Sequence, residues 1–196
     1  MKKTLLITLF LSCLTNNYAQ FGFRVGVSNS YFEQVENQDV SIGFYAGMWS
    51  RLNLGRIGLR NELNYYNSIL KQKNNVSEIN IVRSNVSNYI DLSSGLDFFI
   101  NDDLAIQIGS GFHYLLRMKS KLKIDGSVDE GAFELDYLNF EQRLDLKMQM
   151  GISYNITENV LIDIRWERIL AAGKWDWEFV DGYQTNIIKG GVGFMF

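Results

Sequence analysis

From Phe21 onward, apolar and polar residues alternate with a period of two, the mark of strands with one apolar face and one polar face. Eight such segments follow one another. In Phe21–Ser28, the residues Phe21, Phe23, Val25 and Val27 oppose Gly22, Arg24, Gly26 and Ser28. In Ser41–Trp49, Ile42, Phe44, Ala46 and Met48 oppose Ser41, Gly43, Tyr45 and Gly47. In Ile57–Tyr66, Ile57, Leu59, Leu63 and Tyr65 oppose Gly58, Arg60, Glu62 and Asn64, and Asn61 interrupts the apolar face. The fourth segment, Asn88–Phe99, sets Ile90, Leu92, Leu96 and Phe98 against Tyr89, Asp91, Ser93, Gly95 and Asp97. Segments Ala105–Arg117, Arg143–Tyr154, Val160–Glu167 and Ile187–Phe196 repeat the pattern.

The connections alternate in length. Tight turns are expected at Asn53-Leu54-Gly55, Asn101-Asp102-Asp103 and Asn155–Asn159. Long loops are expected at about 67–87, 118–142 and 168–186, with a shorter one between the first two segments. This predicts an all-β fold: an eight-stranded antiparallel transmembrane up-and-down β-barrel with short periplasmic turns and long extracellular loops.

Alternation alone does not say which face meets water. Three features turn the polar face inward. It is rich in glycine, which weakens a solvent-exposed strand but permits close approach in a narrow lumen. It carries balanced charge: Arg24, Arg60, Arg143, Lys147, Arg165 and Lys189 against Glu62, Asp91, Asp97, Asp145, Asp163 and Glu167. Pairing is what a confined interior requires, because a lone buried charge is expensive. Finally, Tyr65, Tyr114 and Trp166 fall toward one strand end and Phe98, Tyr154, Phe194 and Phe196 toward the other, as interfacial girdles do.

Composition narrows the classes. A chain of 196 residues, 46% hydrophobic and 14% aromatic, suits one domain and excludes disorder. A single cysteine excludes a disulfide framework and a cysteine-rich zinc module. A net charge of -3 speaks against nucleic acid as a partner. A mean hydropathy of -0.09 without a second long apolar run excludes a helical membrane protein, but not a barrel.

The N-terminus reads as an address. Basic Met1-Lys2-Lys3, the apolar run Thr4–Leu14 and the small residue Ala19 make a signal peptide over residues 1–19, leaving a barrel domain over 20–196. Leu11-Ser12-Cys13 loosely resembles a lipoprotein box, with Phe10 where such a box prefers leucine. The ordinary cut after Ala19 removes this cysteine.

Lys189-Gly190-Gly191-Val192-Gly193-Phe194-Met195-Phe196 resembles the C-terminal signal read by the barrel-assembly machinery of Gram-negative outer membranes, with Lys189, Gly191, Phe194 and Phe196 at its marked positions. The stretch Gly58–Tyr66, with its Glu62-Leu63-Asn64-Tyr65 core, and Tyr89-Ile90-Asp91-Leu92 resemble the third and fourth strands of the outer-membrane β-barrel domain family. That family includes PorT-like and OmpX/OmpA-like porin-fold proteins. The resemblance spans Phe21–Phe196 and implies a small monomeric outer-membrane barrel; it carries no catalytic residues.

Candidate chemistry is sparse. The one histidine, His113, falls on the polar face, whereas Ser110 has the opposite parity and makes a poor partner. Tyr89 and Asp91 neighbour His113 as packing contacts rather than as a catalytic triad. No cluster supports a metal or cofactor site. The expected role is structural or adhesive, or that of an accessory subunit in an envelope complex. Two alternatives stand beside it: a lipid-modifying outer-membrane enzyme and a soluble periplasmic ligand-binding barrel. Lys119, Lys121 and Lys123 alternate along an extended strand, with Glu130, Glu134 and Asp136 on the returning arm. The lysines are candidates for contact with lipopolysaccharide phosphates. Trp175-Asp176-Trp177-Glu178-Phe179 is either an interaction patch or a packed interfacial segment, and Asn74-Asn75-Val76-Ser77 carries a glycosylation-like triplet of little bacterial meaning.

Overall fold

In the computed structural model, residues 19–32, 38–39, 42–76, 79–124, 127–132, 144–170 and 185–196 are described. Ten strands run in chain order: β1 (Ala19–Phe32), β2 (Gln38–Asp39), β3 (Ile42–Leu54), β4 (Ile57–Val76), β5 (Ile79–Phe99), β6 (Leu104–Ile124), β7 (Ser127–Ala132), β8 (Leu144–Asn155), β9 (Val160–Leu170) and β10 (Thr185–Met195). Eight of them close a ring in the order β4-β3-β1-β10-β9-β8-β6-β5, and β5 returns to β4. Every pairing is antiparallel. The short strands β2 and β7 add to β4 and β6 outside the ring. Closure leaves no barrel edge, so each of the eight ring strands finds its backbone partners on both sides.

The expected faces hold. Outward residues are apolar and open: Ile164 is 68% exposed, Met48 63% and Val27 57%. Inward residues are charged and sealed: Asp91, Lys147, Glu167 and Lys189 are each 0% exposed. A water-soluble barrel would present the reverse, so the alternating chain forms a transmembrane barrel with lipid as its outer solvent.

The turns follow from local chemistry. Gly55, with φ +70°, and Arg56 join β3 to β4 as a two-residue hairpin turn. The mirror-image turns that match strand twist require a positive φ at this first central position, which glycine supplies without strain. Between β5 and β6, Asn101 Oδ1 accepts hydrogen bonds from the backbone N–H of Asp103 (3.0 Å) and Leu104 (2.7 Å). Between β8 and β9, Thr157 Oγ1 accepts from Asn159 N–H (3.3 Å) and Val160 N–H (3.1 Å). These side chains stand in for backbone acceptors and fix the short connections.

On the other rim the structure corrects two expectations. The expected loop at 67–87 is a hairpin: β4 and β5 remain paired out to Val76 opposite Ile79. Likewise much of 118–142 is strand, with β6 continuing to Ile124 and pairing β7 from Ser127. Polar Asn, Ser and Lys residues dilute the alternation there, because above the membrane neither face needs to be apolar. Residues 1–18 of the expected leader, with Cys13, lie outside the described residues, as do Glu134, Asp136, Arg143, Trp175–Phe179 and Ser77.

Gly55→Ala should lower barrel stability by about 1 kcal/mol, the cost of placing a Cβ in the left-handed region. Urea titration of the gel-mobility shift between folded and boiled protein measures it. Gly55→Asn, better suited to positive φ, should lose less.

Candidate functional site

The lumen is the most distinctive chemical environment in the fold. Inward parity alone brings its residues together, since each barrel strand contributes: Arg24 from β1, Arg51 from β3, Arg60 and Glu62 from β4, Asp91 and Asp97 from β5, His113 from β6, Lys147 from β8, Asp163, Arg165 and Glu167 from β9, and Lys189 from β10. All of them are buried.

Glu62 is the hub of the lower network. Its Oε1 lies 2.9 Å from Arg60 Nε and 3.1 Å from an Arg24 terminal nitrogen. Its Oε2 lies 2.6 Å from an Arg165 terminal nitrogen. Three guanidinium groups from β1, β4 and β9 thus meet one carboxylate. Asp163 takes the excess charge, 2.6 Å from Arg165 Nε and 3.5 Å from Arg24. Asp97 carries the network downward, 3.4 Å from both Arg60 and Arg51. Arg51 then donates to Gln20 Oε1 at 2.6 and 3.0 Å and stacks on Phe99 and Trp49. Trp49, Leu161 and Met195 form an apolar cluster at this end.

A second network lies toward the extracellular side. Lys147 Nζ sits 2.7 Å from Asp91 and 3.1 Å from Glu167. Lys189 Nζ sits 3.0 Å from Asp91 and 2.9 Å from Glu167. Two ammonium groups therefore bridge two carboxylates. His113 Nε2 lies 3.5 Å from both acids. Aromatic rings close over this square. Lys189 Nζ lies 4.6 Å from the Tyr66 ring centre, and Tyr66, Tyr89 and His113 pack against one another at 5.5–5.6 Å. The Tyr66 hydroxyl hydrogen-bonds Ser30 Oγ, which also accepts from Ser68 Oγ at 3.0 Å. Tyr45, Tyr66 and Ile187 form the apolar cluster of this end.

Asp91, His113 and Glu167 offer donor atoms within 4.8 Å of one another, a spacing compatible with one cation. The donor set argues against that use. Both carboxylates already face Lys147 and Lys189, so a divalent ion would have to displace two buried ammonium groups. His113 has carboxylates and rings around it, and Ser110 points to the exposed outer face.

Inward parity in the sequence marks most of this set. Asp145 departs from it: the residue is half-buried and lies opposite His113 in the β6–β8 register rather than among the sealed charges. Its place near the extracellular end of β8 leaves it close to the rim. Arg51 went unnoticed. Its parity matches Gly43, Tyr45, Gly47 and Trp49, but ending that segment at Trp49 dropped it one step short of the turn. The residues expected to form a C-terminal signal also have structural jobs. Lys189 is a lumen ion, a Cβ at Gly191 would collide with the Tyr45 hydroxyl, and Phe194 stacks on Phe23 at 4.9 Å.

A bulge resets the face of the lysine row. Tyr89 pairs Leu115, but Asn88 pairs Arg117, so Leu116 is an extra residue on β6. Beyond it, Arg117, Lys119, Lys121 and Lys123 share the outer face with Asn88, Val86, Ser84 and Val82. Lys71 on β4 joins this face through Ser84, and all five basic residues are exposed. Without the bulge their parity would match inward-facing His113.

Glu62→Gln should destabilise the barrel by roughly 3–5 kcal/mol, because three buried guanidinium groups lose their shared carboxylate and keep only Asp163 and Asp97 to balance them. Urea unfolding followed by gel mobility reads this, and Asp102→Asn in an exposed turn should leave the midpoint unchanged.

No protein-family model matches the chain, and no curated protein matches its sequence. Solved structures do. Ail, the attachment invasion locus protein of Yersinia pestis, aligns with 91% of this chain and 99% of its own at 15% identity, with a TM-score of 0.51. Neisserial surface protein A aligns with 92% of this chain and 98% of its own at 14% identity and a TM-score of 0.46. The N-terminal barrel domain of Pseudomonas aeruginosa OprF aligns with 89% and 97% at 13% identity and a TM-score of 0.44. At such identities the likeness to Ail concerns the fold alone, and that fold is the small β-barrel of the bacterial outer membrane.

Proposed function

We propose that this chain is an integral outer-membrane barrel that neither conducts nor catalyses, and whose working surface is its extracellular sheet. The observation that carries the reading is that every barrel strand sends a charged or imidazole group into the lumen, where the groups pair across the full width. Eight strands leave an interior just wide enough for side chains, so this network takes the space a channel would need. A leader over residues 1–19 directs the chain across the inner membrane, and the Lys189–Phe196 segment presents it to the assembly machinery. The role is structural or adhesive, or that of an accessory subunit within an envelope complex.

The bulge-directed row of Arg117, Lys119, Lys121 and Lys123 supports a partner for that surface. It emerges on the outer face beyond the Tyr65–Ile90–Tyr114 row, the level where anionic headgroups lie. The partner is lipopolysaccharide, held through its phosphates by exposed ammonium groups.

Replacing Lys119 and Lys123 together by Gln should weaken binding of fluorescent lipopolysaccharide to the detergent-solubilised barrel by roughly thirtyfold, since each surface lysine contributes about 1 kcal/mol toward an anionic membrane surface. Added salt should shrink the difference, because these charges are exposed. Equal affinity of the two proteins would mean that the basic face does not hold lipopolysaccharide.

A further inference from the structure

The outer face carries a polar row where hydrocarbon should be thickest. On β4 the outward series is Ile57, Leu59, Asn61, Leu63 and Tyr65, with Asn61 at its centre. On β5 it is Phe98, Leu96, Ser94, Leu92 and Ile90, with Ser94 at its centre. On β6 it is Ile106, Ile108, Ser110, Phe112 and Tyr114, with Ser110 at its centre. The register aligns these residues: Asn61 lies opposite Ser94, and Ser94 opposite Ser110. Ser50 on β3 extends the row, opposite Asn61. Asn61, Ser94 and Ser110 are exposed.

The row is also a trough. Met48, Leu63, Leu92 and Phe112 flank it on one side, and Leu52, Leu59, Leu96 and Ile108 on the other. Ser94 Oγ donates a hydrogen bond to Asn61 Oδ1. That bond uses the Asn61 carbonyl, and lipid tails offer no acceptor for the two donors of an exposed amide nitrogen. Headgroups and water are half a bilayer away.

We infer that this row is where a second copy of the chain docks inside the membrane; the inference rests on the reading of the chain as a membrane-embedded barrel. Two copies insert with the same orientation and at the same depth. A two-fold axis along the membrane normal therefore sets each row against its twin. An asparagine amide is both donor and acceptor, and serine hydroxyls are too, so the row is complementary to itself. Small side chains let the two walls approach, as at other membrane interfaces. Because barrel strands tilt, the two inclined rows cross at their middle, on Asn61 and Ser94.

The test is disulfide trapping in intact outer membranes, in a background with Cys13→Ser. Ser94→Cys should form a dimer of twice the mass. Ile164→Cys, also open to lipid but on β9 across the barrel, should form little. Adding Asn61→Leu to the Ser94→Cys chain should lower the dimer yield about three- to tenfold, the range expected for a polar contact within a membrane. The folded gel mobility of every variant should remain that of the parent. Equal yields at Ser94→Cys and Ile164→Cys would overturn the proposal. So would a yield indifferent to Asn61→Leu, or trapping of a different protein. If the parent itself shows no difference in mobility on boiling, the barrel reading fails and the dimer with it.

Discussion

The Glu62 carboxylate among the guanidinium groups of Arg24, Arg60 and Arg165 is the interaction on which the rest of the barrel depends. A membrane barrel inverts the usual arrangement of solvents: lipid outside rewards apolar side chains, and the lumen must hold whatever remains. What remains here is charge, in the narrow interior that eight strands leave. Each buried ion costs several kcal/mol to desolvate, and only a close partner offsets it. The charges therefore organise into a lattice joining β1, β4 and β9 below and β5, β8, β9 and β10 above. Interstrand hydrogen bonds close the wall, while the ion pairs tie the strands across its diameter.

That lattice orders the lumen into layers. Arg51, Gln20 and the Trp49–Leu161–Met195 cluster lie at the periplasmic end. The arginine network and the lysine square fill the middle, and tyrosines cover the extracellular side. Tyr66 links two of these levels, its ring under Lys189 and its hydroxyl bonded to Ser30. Glycines fit the same scheme. Gly191 has no side chain because the Tyr45 ring occupies its place, so a position read as part of a terminal signal is also a packing constraint.

The fold was legible because alternation has a period of two and nearly every barrel position in the membrane follows it, the row of Ser50, Asn61, Ser94 and Ser110 apart. Arg24, Glu62, Asp97, Arg165 and Lys189 could all be assigned inward from parity. The hub could not: Arg24 and Arg165 are far apart in sequence and meet Glu62 only once the ring closes and sets which strands oppose one another. The lysine row was visible as a pattern but not as a face, since the single extra residue Leu116 reverses parity and leaves no periodic mark. Likewise the loop at 67–87 looked irregular because a strand above the membrane has no apolar side to repeat. Asn61 stood out as a break in the apolar face, yet its companions Ser94 and Ser110 became a row only when the register set them side by side.

We propose that ion-paired side chains fill the barrel from wall to wall. Conductance of the purified, folded protein in a planar lipid bilayer tests it most directly. Current should stay at the baseline of the protein-free membrane across the applied voltage range. Steady unitary steps that scale with salt concentration would mean that water and ions pass through the lumen, and would contradict it.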